Sequence, residues 1–231
     1  MRSISLLFKV LWSPGEAMCY IARNQCFAVP LSLLIGSSLA GAAIVKAELP
    51  DLPLRIIERS PAGLNLSAEM KQHMLQNADS AASWIFTMMF SGIRPFLVLL
   101  IVSTIYFSIF TVIGVEGSFK AFFSVTSYAF VPMVFRQIAG SLSALFVPST
   151  SIMPDELGSL SPAVFLDRDS IPPLLFTMVN MIDVVSVWIL CLIFIGFAFV
   201  TRKKLSKSTR AAVVFGVFLS YALVKIIIQT I

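Results

Sequence analysis

Along this chain the apolar residues gather in long runs instead of alternating with polar ones. Segments 27–45 and 96–115 carry no charge at all. Segment 121–147 is interrupted only by Arg136, segment 174–200 only by Asp183, and segment 211–231 only by Lys225. A helix needs about 20 mostly apolar residues to cross the hydrocarbon core, and each run meets that length. The pattern predicts an all-α integral membrane protein, a bundle of about five transmembrane helices forming one membrane domain over 1–231.

The polar segments fill in the rest. Leu6, Leu7, Phe8, Leu11 and Trp12 precede Ser13-Pro14-Gly15-Glu16, where Ser13 suits a helix cap, Pro14 the first helical position and Glu16 a reciprocal contact with the cap. Residues 1–26 therefore read as an amphipathic helical segment, either lying in the membrane interface or packed on the spans. The region before the first run, and its length, suit a retained anchor better than a cleaved leader, whose apolar core runs about 7–15 residues. Residues 46–95 and 148–173 read as the two outer loops. In the first, Pro50, Pro53 and Pro61 precede a helix over 68–91, with Ser67 as its cap.

Composition explains what the runs are for. The charged fraction is 13% and the hydrophobic fraction 58%, with a mean hydropathy of +0.91. Soluble domains are about 25% charged. The net charge of +5 would raise nucleic acid for a soluble chain, but here the cations flank apolar runs, which points to topology and lipid headgroups. Arg202, Lys203, Lys204, Lys207 and Arg210 crowd the 201–210 segment without an acid, and Arg2, Lys9 and Arg23 lie near the N-terminus. Segment 148–173 holds Asp155, Glu156, Asp167 and Asp169 against Arg168. By the positive-inside rule the N-terminus and 201–210 are cytoplasmic and the C-terminus lies outside.

Charges at bilayer depth cost about 2.5–3.5 kcal/mol at a helix centre, so they are the leading site candidates. At about 1.5 Å rise per residue, Arg136 and Asp183 lie about 16 and 14 Å from the outer ends of their spans. They are matched for pairing. Alternatively Asp183 sits at the interface, since 184–200 alone could cross. Lys225 and Arg94 fall in the same outer half, so Arg136, Asp183, Lys225 and Arg94 form either a polar site for an anionic group or separate side chains reaching for the surface. Tyr128, Pro132 and Arg136 share one helical face, and Pro132 removes the hydrogen bond to the Tyr128 carbonyl. Gly36 with Ala40, and Ser37 with Gly41, let another helix approach closely. Cys19 and Cys26 lie about 10 Å apart on a helix, too far for a disulfide, and His73 has no companion at metal-ligand spacing. No phosphate loop, zinc motif or nucleophile elbow is present in the sequence. No cofactor, no metal, no enzyme activity and no nucleic-acid partner is expected.

Three stretches together resemble the Yip1 family of polytopic membrane proteins. They are the Pro14 entry to a helix before the first span, Tyr128-x-x-x-Pro132 in the third, and Asp183-x-x-x-x-Trp188 followed by Gly196 in the fourth. The chain lacks the long cytoplasmic arm and the Asp-Leu-Tyr-Gly-Pro motif of eukaryotic members, so the resemblance is to the bacterial branch and not to the branch that binds Rab-type GTPases. It implies a non-enzymatic protein of the bacterial inner (plasma) membrane. Its expected partners are the bilayer and other integral membrane proteins, such as subunits of an ABC-type exporter, for which it would be a scaffold or accessory subunit. The alternatives are a transporter component handling lipid or ion through Arg136 and Asp183, and a trafficking factor if the source is eukaryotic.

Overall fold

The computed structural model describes residues 3–52, 54, 67–78, 80–146, 157–166, 171–202 and 204–230. Among these the secondary structure is helical, with no strand. The helices are α1 (Ser3–Trp12), α2 (Pro14–Asn24), α3 (Ala28–Glu48), α4 (Ala68–Ala78), α5 (Ala81–Val112), α6 (Phe119–Ala129), α7 (Met133–Phe146), α8 (Pro173–Met181), α9 (Val184–Val200) and α10 (Lys207–Thr230). A 3-10 turn covers Pro162–Phe165.

Among the described residues, four stretches are long and apolar enough to cross a membrane: Ala28–Glu48, Ala81–Val112, Phe119–Phe146 and Lys207–Ile226. The fourth run of the sequence is divided. Its apolar part Val184–Val200 has 17 residues, about 26 Å of helix, and α8 precedes it as a separate piece. The second span also begins earlier than its charge-free run. Arg94-Pro95 resembles a boundary in sequence, yet α5 passes through Pro95, losing only one backbone hydrogen bond there. α4 ends at Ala78 and α5 begins at Ala81, with Ser80 a bend before it, where the sequence suggested one helix over 68–91.

The described chain divides into two compact units. The first comprises Met1–Leu34, Phe96–Met133 and Leu160–Ile231. Its centre is α6, in which every residue from Ala121 to Ala129 is buried. Ser124 and Ser127 can be there because their hydroxyls donate to the carbonyls of Lys120 and Phe123, both at 2.7 Å. Around α6 pack Ala17, Met18 and Ile21 of α2, Tyr106 and Phe110 of α5, and Ile193 and Phe197 of α9. Phe110, Phe122 and Phe197 form an aromatic cluster with ring centroids 5.1–5.6 Å apart, in the range where edge-on and tilted contacts are favourable. Leu6 and Val10 of α1 join the same core, while Ile4, Phe8 and Trp12, spaced by four, face away from it, with Trp12 91% exposed. Ser13 caps α2 by position but makes no side-chain cap bond. Glu16 instead reaches Lys9 at 3.9 Å, an exposed pair worth at most about 1 kcal/mol.

The second unit comprises Ile35–Pro95 and Val134–Ser159. Leu49, Leu52, Ile44 and Val45 surround Ala144 and Leu157. Gly41, one of the small residues singled out in sequence, brings α3 against α7: a Cβ there would lie 3.5 Å from Ser141 Oγ. Gly158 is required twice over. Its φ is +70°, and a Cβ would come within 2.6 Å of the Arg136 carbonyl and 2.9 Å of Gly140 N. Lys46 at the end of α3 donates to the Ala78 carbonyl (3.1 Å) and to Ser83 Oγ (2.7 Å), and its ammonium sits 5.4 Å from the Trp84 ring centre. One side chain thereby holds the α4–α5 turn.

Candidate functional site: a buried carboxylate at a helix break

The apolar run 174–200 holds one charge, Asp183, and the helix breaks there. α8 ends at Met181, and the Ile182 amide still donates to the Val179 carbonyl at 3.1 Å. Asp183 is extended (φ −111°, ψ 156°) and becomes the N-cap of α9. Its Oδ1 accepts from the Ser186 amide at 2.9 Å and its Oδ2 from the Ser186 hydroxyl at 2.7 Å. The residue is only 2% exposed.

Two effects hold a carboxylate in that place. The first-turn amides of a helix lack internal acceptors, and the helix dipole puts partial positive charge there. Leu160 and Ser161 close over the break. Val184 N donates to the Leu160 carbonyl at 3.5 Å, and Ser161 Oγ to the Val179 carbonyl at 2.9 Å. Ser161 also caps the Pro162–Phe165 turn.

A second interruption lies at residues 130–132. Pro132 has no N–H to offer the Tyr128 carbonyl, and the chain answers with a tight turn in which Val131 N donates to that carbonyl at 3.2 Å and Met133 N to the Phe130 carbonyl at 2.9 Å. Tyr128 is fully buried, its hydroxyl 3.9 Å from Cys26 Sγ.

The four charges singled out in sequence divide between the units. Asp183 and Lys225 belong to the first, Arg94 and Arg136 to the second. Arg94 is exposed on α5, whereas Arg136 on α7 and Lys225 on α10 are half-buried. Sequence reasoning missed Ser186, which takes up both oxygens of Asp183. An acid three residues before a small hydroxyl residue at the start of a charge-free run was the signal that marked it.

The motif positions fall on packing contacts. Pro14 opens α2, and Trp188 packs against the core of the first unit. At Gly196 a Cβ would overlap Val125 Cγ1 of α6 and lie 3.2 Å from Met18 Sδ of α2, so only glycine lets three helices meet there. The Yip1 domain matches residues 8–228, nearly the entire sequence. The chain belongs to the Yip1 family. With its membrane-length helices, this Yip1 protein is a multi-pass integral membrane protein. No curated protein and no solved structure gives a significant match to it. In this Yip1 chain Gly196, Tyr128, Pro132 and Asp183 all bear on where helices meet or break.

Proposed function

We propose that this Yip1 protein is a non-enzymatic scaffold or accessory subunit for another integral membrane protein, such as an ABC-type exporter, in a bacterial inner membrane. In this reading five spans run from an inside N-terminus to an outside C-terminus, with 174–200 crossing as an interrupted helix. α1 lies in the inner interface, its Ile4, Phe8 and Trp12 row among the acyl chains.

The supporting observation is the use made of Asp183. The most deeply buried acid in the described chain gives both oxygens to Ser186 and so to the shape of α9. Other buried polar groups are spent in the same way. Tyr106 Oη donates to the Val214 carbonyl at 3.2 Å, tying α5 to α10, and Thr201 Oγ1 to the Phe197 carbonyl at 2.8 Å. Polar groups used for fastening suit a protein that presents a fixed surface. The test is gentle solubilisation of native membranes and affinity capture of the full chain. A stoichiometric membrane partner supports the scaffold; elution as a lone monomer removes it.

A second reading rests on the two interruptions. Discontinuous helices in membrane transporters supply ion and substrate sites, and Asp183 sits at such an end. A transporter component using Asp183 would lose flux in proteoliposomes on Asp183→Asn, which keeps a capping oxygen while removing the charge. Unchanged flux counts against this reading.

A further inference from the structure

Arg210, read in sequence only as one more cation of the basic 201–210 segment, is buried: 6% of it is exposed. It lies in the first turn of α10, and its guanidinium carbon is 4.5 Å from the ring centre of Phe194 on α9. Its Nε is sealed from solvent and has no hydrogen-bond partner, and among the described residues no carboxylate pairs with it. Glu116 pairs instead with Lys204 at 3.8 Å, both side chains exposed. A guanidinium keeps its charge under all ordinary conditions and carries five donors in a planar fork. Stacking on Phe194 satisfies one face of the plane but none of those donors. A buried cation with no acid beside it is a poor structural choice and a good half of a binding site.

The 201–210 segment itself carries cations and no acid. Arg202, Lys204 and Lys207 lie within the same turn and helix start. Arg202 is held at φ +49° with its amide donating to the Phe199 carbonyl at 3.2 Å. The N-terminal end of α10 adds partial positive charge, with the Thr209 amide already capped by Ser206 Oγ at 3.0 Å.

We infer that Arg210 is the anchoring cation of a phosphate site at the α9–α10 turn, with the guanidinium fork taking two phosphate oxygens side by side. The phosphate of an anionic phospholipid headgroup fits the place, because α10 enters its apolar stretch immediately afterwards. Free inorganic phosphate has the same chemistry, and the experiment separates the two.

The full chain in a neutral detergent is titrated with dihexanoyl phosphatidylglycerol, dihexanoyl phosphatidylcholine or inorganic phosphate, and bound molecules are counted by native mass spectrometry. Phosphatidylglycerol should bind to wild type as one retained molecule in preference to phosphatidylcholine, and Arg210→Gln should weaken it about tenfold or more. Binding of inorganic phosphate alone, equally lost in Arg210→Gln, assigns the site to a free anion. Equal binding of the anionic and neutral lipids by wild type overturns the inference, as does equal phosphatidylglycerol binding by wild type and Arg210→Gln. If Arg210→Gln does not fold, Arg210→Lys serves. It keeps the charge but loses the fork, so its affinity should fall several-fold, and unchanged affinity rejects the site.

Discussion

At the scale of single residues, Asp183 and Gly196 carry the sharpest expectations. Asp183→Ala removes the cap from α9 and leaves the Ser186 amide without its acceptor. A cap loss costs about 0.5–2 kcal/mol, and burial puts this one at the upper end. Asp183→Asn keeps an oxygen for that amide and should cost visibly less, so chemical denaturation in detergent should rank wild type above Asn above Ala. At Gly196 a single methyl meets Val125 Cγ1 and Met18 Sδ. Overpacking of this kind costs about 1–3 kcal/mol. Gly196→Ala should therefore unfold earlier than wild type, and Gly196→Ala with Val125→Ala should recover part of the loss. Neither residue was fully legible in the sequence. Gly196 stood out as part of a family pattern, but glycine occurs in spans for many reasons, and only the positions of α2 and α6 reveal what it makes room for. Asp183 was recognised as out of place at depth. Whether it lay within a helix or started one depended on a break that the apolar pattern around Ile182 does not encode.

At the scale of elements, the helices follow hydrophobic runs closely where chain chemistry agrees with them and depart where local hydrogen bonding decides. α3 and α10 coincide with their runs to within a few residues. α5 extends well upstream because Ser, Thr and Met between 81 and 93 tolerate helix, and because proline removes one donor without forbidding continuation. The third run divides into α6 and α7 because Val131 and Met133 can rebuild a turn around Pro132. Lys46 shows the opposite case, an element held by a side chain. Lys46→Met should release the Ala78 carbonyl and Ser83 Oγ, and hydrogen exchange should quicken across residues 74–84 with little change in α9. Uniform acceleration across both units would contradict this local role.

At the scale of the whole molecule, the sequence made the lipid environment and helical class plain, because apolar area on this scale cannot be hidden by a chain of 231 residues. What it left open was how the interior is shared. The division into two units cuts through α3 and α5, elements that hydropathy treats as uniform, because packing partners change along a helix while its composition does not. Orientation belongs to this scale too. In a variant lacking Cys19, Cys26 and Cys191, single cysteines placed at 157–160 should react with an impermeant maleimide on intact cells, and cysteines at 204–208 only after permeabilisation. The reverse pattern would invert the proposed topology.

The enclosure of α6 has a consequence for biogenesis. Synthesis delivers residues 119–129 to the membrane well before residues 184–200, which later cover them. During that interval a short segment bearing Ser124, Thr126 and Ser127 has α1, α2 and α5 for shelter but not α9. Nascent chains truncated ahead of α9 should therefore leave this segment open to proteases and insertion chaperones, and chains released after Val200 should not.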